Sequence, residues 1–387
     1  MAKLKATRLI TATALTALLL GGTAMAQTIK IGVNEPITGA FAASGTYVVN
    51  GAKIAADEIN AAGGVLGRKI ELIIEDNKSN PTEAAAVAEK LITSNKTPVM
   101  MGAWGSSLTL AVMPKLIDYE TAMVVETSSS GKITTTGNPY VFRISPPSAV
   151  EAEAFAPRIK SIGIKKVDFL VINNDWGRGS AEDFGRAFKE AGIPVGLIET
   201  MDQSAQDMSA QLAKFKSSDA DTLMITTAVD QLTLIFKQMS AIGLKKRVIT
   251  TGGSQNPDQI IAQAGAAADG TMHLTTFLPW EPDMTPNPAA TKFFIGEWKK
   301  RGFDFAGVTE SFRGYDGIRT IVAAIKIAGS DDPKKIKEAL WSVDIMGLNG
   351  PIKFTKQGPA GKESGQSKPN VYMIQISNGK VTLVPQS

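Results

Sequence analysis

The chain has 387 residues, a formal net charge of +4, one histidine and no cysteine. This length favours two domains over one core, and the lack of cysteine excludes disulfides, thiolate nucleophiles and thiolate metal sites. Three of the positive charges lie within the first eight residues. The rest of the chain is nearly neutral and has no Lys and Arg cluster interleaved with aromatics, so we expect no nucleic-acid partner.

The N-terminal segment has the pattern of a secretory signal peptide. Lys3, Lys5 and Arg8 precede an apolar run over residues 9–20, and Ala24-Met25-Ala26 follows as a signal-peptidase site. A run of about a dozen apolar residues is too short for a membrane anchor, which needs about 20. The sequence therefore predicts a signal peptide over residues 1–26, cleaved after Ala26, and a periplasmic protein.

From residue 28 onward, short apolar or β-branched runs alternate with longer amphipathic runs. This alternation is typical of parallel sheets with crossover helices. In the first half, Gly63-Gly64 predicts a helix end and Pro81 a first helical turn. The strands predicted here are 29–33, 69–75, 98–102, 122–127 and 140–144, with helices near 81–94 and 108–119.

Pro146-Pro147 interrupts this pattern and predicts a boundary between two lobes. A second α/β series follows, and four prolines between residues 279 and 288 predict a loop or crossing rather than regular structure. The remaining predicted strands are 167–172, 195–200, 222–226, 247–251, 352–354 and 371–376, and the later helices are 289–301, 311–328 and 333–341.

One long segment and several short ones carry a family resemblance. Residues 51–81 read GAKIAADEINAAGGVLGRKIELIIEDNKSNP, and further matching segments lie near residues 39–45, 102–109, 138–143, 315–316, 328–332 and 347–358. In this order they resemble the periplasmic binding proteins of ABC importers in the leucine/isoleucine/valine-binding class. The resemblance covers essentially the whole chain after the signal peptide.

The resemblance implies an α/β fold of two Rossmann-like lobes, the periplasmic binding protein type I or Venus flytrap fold, joined by three hinge crossings. Lobe one would comprise residues 27–146 plus 278–354, and lobe two residues 147–277 plus 355–387. It also implies a monomer without a cofactor that holds a small molecule in the cleft and delivers it to the membrane subunits of an ABC permease.

Trp104-Gly105-Ser106-Ser107 stands where the third predicted strand ends and a helix begins. Helix N-terminal amides and Ser hydroxyls at such a place can bind an anion or carboxylate together. The alternative for Ser106 is a capping role alone. With the resemblance, we expect Trp104 and Ser106 to line the ligand site.

Thr127, Ser128 and Ser129 follow the fourth predicted strand at the same sheet edge. The resemblance implies that this loop holds the ligand's amino and carboxyl groups, with Thr127 and Ser129 as the matching positions. An ordinary polar loop is the alternative.

Two aromatic residues also match the family's ligand contacts. The resemblance implies that Trp176, at the end of a lobe-two strand, closes over the ligand, and that Tyr315 contacts it from a position before a lobe-one helix. The alternative for an isolated Trp is a core position, although the neighbouring glycines favour partial exposure.

The sequence departs from the family at the partner of the ligand's ammonium group. An acidic residue is expected after a lobe-two strand, but the stretch reads Thr250-Thr251-Gly252-Gly253-Ser254. Asp230 or Glu126 could replace it, although Asp230 could instead cap a helix and Glu126 could point away from the cleft. The ligand class therefore stays open between an amino acid and an aromatic carboxylate, an amide or another organic acid.

An enzyme would need a catalytic constellation that the sequence lacks. His273 is the single histidine and falls in a predicted interior strand. There is no G-x-S-x-G elbow, no phosphate-binding loop and no spaced metal-ligand cluster. We expect neither catalysis nor a metal, and a free-standing sensor that docks on a membrane receptor is the alternative to transport.

Overall fold

The computed structural model describes residues 28–252 and 256–385. The predicted signal peptide and the pair Gly253-Ser254 lie outside the described residues. No helix in the described part of the chain is long and apolar enough to cross a membrane.

The first sheet has seven strands, five of them from the N-terminal part of the chain. Strands are numbered here in chain order, and β1 to β5 pair in parallel, as the alternation of strand and helix predicts. Its strands are β1 Ile29–Glu35, β2 Ile70–Asp76, β3 Val99–Gly102, β4 Ala122–Val125, β5 Val141–Arg143, β13 Thr355–Gln357 and β14 Ser364–Gln366. Their order in the sheet is β13-β14-β5-β4-β3-β1-β2.

The second sheet also has seven strands, in the order β16-β15-β10-β9-β8-β6-β7. They are β6 Val167–Ile172, β7 Val195–Met201, β8 Thr222–Thr226, β9 Arg247–Thr250, β10 Met272–Thr275, β15 Tyr372–Ser377 and β16 Lys380–Leu383. A separate hairpin is formed by β11 Asp344–Gly347 and β12 Gly350–Lys353.

Helices connect the parallel strands. Several begin with proline in the first turn, where its missing N–H leaves no hydrogen bond unmade, and Asn80 and Asp332 cap two of them with their side chains. The helices are α1 Ala42–Ala61, α2 Pro81–Thr93, α3 Ser106–Asp118, α4 Lys132–Thr135, α5 Ser148–Ser161, α6 Asp175–Glu190, α7 Ser209–Ser217, α8 Val229–Ala241, α9 Pro257–Ala264, α10 Pro288–Lys300, α11 Val308–Ala328 and α12 Pro333–Leu340. We call the first sheet with α1–α4 and α10–α12 lobe one, and the second sheet with α5–α9 lobe two.

The chain passes between the sheets three times. The first two passages follow β5 and β10, close to the predicted boundaries at 146 and 277. The predicted third boundary at 354 is wrong, because β14 pairs with β5 in the first sheet through Gly365 and Gln366. The third crossing therefore lies between Gln366 and Tyr372. The partners are more than 200 residues apart in the chain, so no local pattern could indicate this pairing.

Most predicted elements agree with the structure to within three residues. Strands 167–172 and 222–226 have the predicted bounds. One difference affects the candidate site, because β4 ends at Val125 and this places Glu126 in the following loop. Tyr315 lies inside α11, as the predicted helix 311–328 indicates, and not before a helix as the family match implies.

The apolar core follows the two sheets. One cluster fills lobe one, and two further clusters cover opposite faces of the second sheet. The lobe-one cluster continues across the cleft, because Ile172, Trp176 and Ala228 of lobe two belong to it. This contact brings the carboxyl ends of both sheets together, where α/β proteins bind ligands.

Candidate ligand-binding cleft

A pocket lies where the strand ends of the two lobes meet. β3 and β4 of lobe one and β6 and β9 of lobe two lead into its walls. Six of the eight residues predicted for the ligand site lie around it, although their binding role stays a prediction. The lining residues are Trp104, Gly105, Ser106, Thr127, Ser128, Ser129, Trp176 and Gly252.

Trp104 is held in place through its backbone. It adopts a φ of +59°, its N–H donates to Glu126 Oε1 at 3.2 Å, and its carbonyl accepts from Ser128 Oγ at 2.7 Å. The indole ring packs 4.6 Å from the ring of Phe41. Its buried Nε1 has no hydrogen-bond partner among the described residues, so this N–H is available to a ligand.

The Ser106 hydroxyl shapes the adjoining loop and does not cap the helix. The N-cap of α3 is Gly105, which has no side-chain capping bond, and Ser106 Oγ accepts from Ser130 N at 3.0 Å. The first amides of α3 therefore lack a side-chain acceptor and can receive an anion. This excludes the alternative in which Ser106 is only a helix cap.

Arg143 holds the loop over residues 128–130 through hydrogen bonds to two of its backbone carbonyls. Its Nη1 donates to the carbonyl of Ser128 at 3.2 Å and to that of Ser130 at 2.7 Å, and its Nε donates to Gln366 Oε1 at 2.7 Å. Complete burial of this guanidinium lowers the pKa of Arg143 to about 9. The loop is thus fixed by buried bonds, while the buried Thr127 Oγ1 has no partner in the described part of the chain.

Trp176 explains why position 252 carries no side chain. Asn174 caps α6 by accepting from Gly177 N at 3.1 Å, and this places the Trp176 ring 5.7 Å from that of Trp104 at an angle of 85°. A Cβ on Gly252 would lie 2.4 Å from Cζ2 of Trp176, and φ of Gly252 is +98°. An acidic residue at 252 is incompatible with this indole. Contrary to the exposure expected from its neighbouring glycines, Trp176 is only 4% exposed.

Glu151 brings a carboxylate to the strand end where residue 252 lacks one. It lies in the first turn of α5, and its Oε2 accepts from Thr251 Oγ1 at 2.7 Å and from Gly252 N at 3.1 Å. Burial raises the pKa of Glu151 to about 7, against the opposing effects of Thr251, Gly252 and Arg313. Glu151 was not among the predicted site residues, because it precedes Gly252 by about a hundred residues in the chain. The one local signal for Glu151 is that it is the first acidic residue after the Pro146-Pro147 crossing.

More buried charges lie behind Trp104. Burial and the Glu126 carboxylate raise the pKa of Glu35 well above its ordinary value. Burial also raises the pKa of Glu126, partly offset by Arg313 among other groups, and burial lowers the pKa of Arg313 against the attraction of Glu310 and Glu151. Glu126, one of the two candidates to replace the acid expected near position 252, is therefore buried in this cluster and accepts a hydrogen bond from the backbone of Trp104.

Asp230 and Tyr315 lie away from the pocket. Asp230 is exposed, does not cap α8, whose N-cap is Ala228, and accepts from Gln259 Nε2 at 2.6 Å. Tyr315 is 1% exposed inside α11, and its hydroxyl donates to Glu58. Neither side chain lines the pocket in this structure. A contact with the ligand through either residue would require a different arrangement of the cleft.

Polar contacts join the lobes around the pocket. Ser107 Oγ of α3 donates to Asp175 Oδ2 of α6 at 2.8 Å, and Lys132 Nζ lies 3.2 Å from Asp175 Oδ1. Tyr47 OH donates to Gln259 Oε1 at 3.2 Å on another side. The space left inside the pocket is about 10 Å³ for the centre of a water-sized group, about enough for one water. An organic ligand can therefore enter only when the lobes separate.

The single histidine has a structural environment. His273 lies in β10, its Nδ1 bonds Thr250 Oγ1 at 2.7 Å and its Nε2 bonds Thr271 Oγ1 at 2.8 Å. Complete burial lowers its pKa to about 3, so the ring is neutral and both nitrogens are engaged. Within residues 28–252 and 256–385, no group of three or more His, Cys, Asp or Glu residues could hold a metal ion.

Comparison with known proteins supports the same architecture. A leucine-, isoleucine-, valine-, threonine- and alanine-binding protein of Pseudomonas aeruginosa is 28% identical over 337 residues, 86% of this chain and 87% of that protein. The structure of the leucine-binding protein LivK of Thermotoga maritima, 28% identical, superposes with a TM-score of 0.81 over 92% of this chain and 98% of that one.

A second similar structure is that of a solute-binding protein of an ABC transporter from R. palustris in complex with benzoate. It shares 21% identity and a TM-score of 0.80 over 92% of this chain and 96% of that one, a likeness that shows the fold alone. A family model described as periplasmic binding protein matches residues 28–380. The chain therefore belongs to the periplasmic binding protein family, and it is a solute-binding protein and not an enzyme.

Proposed function

We propose that this protein binds a small organic acid between Trp104 and Trp176 and delivers it to an ABC permease. The observation that carries the proposal is the pocket itself, in which hydrogen-bond donors of lobe one face an aromatic ring of lobe two. A ligand that contacts both walls favours the closed arrangement of the lobes, which is how ligands shift such equilibria.

The lobe-one wall suits a carboxylate. The uncapped N-terminus of α3, the Trp104 indole N–H and the Thr127 hydroxyl all lack a partner among the described side chains. Helix N-terminal amides carry a partial positive charge that favours anions. We assign the ligand's carboxylate to this wall.

The opposite wall decides between an amino acid and a carboxylic acid without an amino group. Glu151 is the acidic group nearest to position 252, since it bonds that backbone N–H. The P. aeruginosa relative is named for aliphatic amino acids, and the R. palustris structure holds benzoate. Both classes keep the carboxylate and fit the proposed lobe-one wall.

A thermal-shift screen of residues 27–387 tests the ligand class. We expect a concentration-dependent rise in melting temperature with at least one of leucine, isoleucine, benzoate and 3,4-dihydroxybenzoate, because a ligand that binds only the native state stabilises it. The amide of the active acid is the matched control and should have little effect. Equal shifts from the acid and its amide would contradict the carboxylate assignment.

Two single variants test the site. Ser106→Ala and Trp176→Ala should each weaken binding of the screened ligand by about 1 to 3 kcal/mol, the scale of an unmade hydrogen bond or a lost aromatic contact. Isothermal titration calorimetry measures the change, with Trp341→Ala, outside the pocket, as control. Unchanged affinity in both variants would place the site elsewhere.

Delivery to a permease, export and the monomeric state are further parts of the proposal. In a strain lacking the protein, we expect lost uptake of the ligand at low concentration; unchanged uptake with lost signalling would favour the receptor-docking alternative. N-terminal sequencing of the exported protein should begin at Gln27, and sedimentation should give the mass of one chain. A different N-terminal residue would contradict the predicted cleavage site, and the mass of a dimer would contradict the proposed monomeric state.

A further inference from the structure

A buried asparagine at the start of α9 joins the two lobes. Asn256 directly precedes this lobe-two helix and bonds two residues in the first turn of α11 in lobe one. Thr309 Oγ1 donates to Asn256 Oδ1 at 2.6 Å, and Asn256 Nδ2 donates to Glu310 Oε2 at 3.3 Å. All three residues are at most 1% exposed. Both ends of the Asn256 amide are therefore engaged across the contact between the lobes.

The first turn of α9 makes further bonds of this kind. Gln259 Oε1 accepts from Tyr47 OH of lobe one at 3.2 Å. Asp258 Oδ2 accepts at 3.0 Å from Nε1 of Trp280, which follows the second crossing. Separation of the lobes at this turn must break the bonds of Asn256 to α11 and admit water to the residues that the contact now buries.

Asn256 belongs to a sequence pattern that occurs at three of the described helices. The pairs Asn80-Pro81, Asn256-Pro257 and Asn287-Pro288 begin α2, α9 and α10. Asparagine is a favoured N-cap residue, and proline is favoured at the first helical position. All three pairs therefore carry the same sequence signal, which predicts a helix capped by the asparagine side chain.

Two of the three asparagines cap their own helix and Asn256 does not. Asn80 accepts from two amides of α2, at 2.9 and 3.2 Å, and Asn287 accepts from one amide of α10 at 3.4 Å. In the described part of the chain, the Asn256 side chain makes no capping bond to α9. Its oxygen accepts from Thr309 instead.

The backbone at Asn256 is suited to capping. Its ψ of 93° lies between the values of 127° at Asn80 and 73° at Asn287, and N-cap residues have a non-helical backbone of this kind. The carbonyl of Asn256 already accepts from Ile260 N at 3.0 Å, as an N-cap carbonyl does. A change from the bonds across the lobes to a cap therefore needs rotation of the side chain and no rearrangement of the helix.

We propose that Asn256 exchanges partners when the lobes move: it caps α9 while the lobes are apart and bonds Thr309 and Glu310 when they meet. Asn256 is then a positioning residue for lobe closure that lies outside the ligand pocket, and this inference rests on the lobe motion of the proposed function. A side-chain cap contributes about as much as one hydrogen bond. The exchange therefore offsets part of the bonds lost on opening and keeps the two arrangements close in free energy.

Thermal melts of the ligand-free protein test the cap. Asn256→Ala should lower the melting temperature, and so should Asn287→Ala, the matched control at α10, because each helix loses its cap. Asn256→Asp keeps an acceptor at the N-cap position and should melt like the wild type. Thr309→Val should also melt like the wild type, because its bond to Asn256 is absent while the lobes are apart.

Two results of these melts would overturn the proposal. Equal losses in Asn256→Ala, Asn256→Asp and Thr309→Val would show that the bonds between the lobes persist without a ligand. An unchanged melting temperature of Asn256→Ala, with a loss in Asn287→Ala, would show that Asn256 never caps α9.

Calorimetric titration with leucine and with benzoate tests the bonds made on closure. Thr309→Val should weaken binding by about fivefold, the effect of one lost hydrogen bond. Asn256→Asp should weaken it at least as much, because an oxygen replaces the Nδ2 donor and faces Glu310 Oε2, and Asn287→Ala should bind like the wild type. Unchanged binding in both Thr309→Val and Asn256→Asp would overturn the proposal. Failure of the wild type to bind either probe would contradict the proposed ligand classes, and the ligand-free melts would then decide on Asn256 by themselves.

Discussion

Gly252 and Trp176 show how one side chain can determine its neighbour's identity. The family resemblance predicts an acid near position 252, but the Trp176 ring occupies the space that its Cβ would need. An acidic side chain reaches this strand end instead from Glu151, on another element of the same lobe. A carboxyl group is therefore present here although it comes from a different sequence position.

Replacement of Gly252 by alanine should destabilise the protein through this contact. Gly252→Ala should lower the free energy of unfolding by more than the about 1 to 3 kcal/mol expected for an unfavourable φ alone, and by less in a Trp176→Ala background, where the clash is absent. Urea denaturation followed by circular dichroism measures both. Gly270→Ala, at φ +82° with no atom near its Cβ, is the matched control, and an equal cost at both glycines would contradict the clash.

The raised pKa of Glu151 predicts a pH dependence of stability. The pKa is about 7 in the folded state against 4.5 ordinarily, so the folded state holds a proton that the unfolded state loses above pH 4.5. The contribution of Glu151 to stability is complete below about pH 4.5 and is lost as pH rises to about 7, at up to about 1.4 kcal/mol per pH unit.

The variant Glu151→Gln isolates this effect. The difference in unfolding free energy between wild type and variant should fall with pH between about 4.5 and 7 and then become constant. Asp316, whose pKa burial also raises to about 7, remains in both proteins and cancels. Parallel stability curves for the two proteins would show that Glu151 is ionised in the folded state throughout.

At the scale of elements, α3 and α6 face each other across the cleft through their first turns. Asp175 meets both Ser107 and Lys132 there. Burial raises the pKa of Asp175, but the bonds from these two residues outweigh burial and lower it. The ionised Asp175 therefore stabilises the closed arrangement.

Asp175→Asn should weaken ligand binding by about 1 kcal/mol, or about fivefold, because a charge-assisted hydrogen bond and a surface ion pair are reduced while the shape is kept. Calorimetry at low and high salt measures this, and the loss should shrink at high salt. Glu182→Gln, an exposed acid on the same helix, serves as control. An equal effect of both substitutions would indicate a general charge effect rather than a contact between lobes.

At the scale of the whole molecule, the lobes touch through apolar and polar contacts but are connected by three short crossings. Because the pocket leaves room for about one water, ligand entry requires separation of the lobes. Contacts between the bound ligand and both walls of the pocket then favour closure of the lobes.

Small-angle scattering should show this motion directly. We expect the radius of gyration to fall when the ligand identified by thermal shift saturates the protein, and to fall less in Asp175→Asn at equal occupancy. An unchanged radius on saturation would contradict hinge closure.

The local sequence pattern was sufficient to predict the bounds of most helices and strands. Strands 167–172 and 222–226 are fully buried runs whose residues, apart from Asp168, are apolar or β-branched, so their bounds were predictable. The strand ends also located Trp104, Ser106, Thr127, Ser128, Ser129 and Trp176, because the carboxyl ends of parallel strands meet at one edge. The prediction for Tyr315 depended on the family match, and Asp230 was a candidate replacement, at a helix start, for the acid that the family match leads one to expect. This structure places both residues away from the pocket.

The sequence by itself determined the two-lobed α/β architecture, the family and the strand ends that form the pocket, because these depend on periodicity and on short contiguous motifs. The tertiary structure alone decided the third crossing and the position of Glu151 beside Gly252. Each of these depends on contacts between residues distant in the chain: β14 with β5 and Glu151 with Gly252. Long-range pairing and burial have no local signature, so they become visible only when the chain is folded.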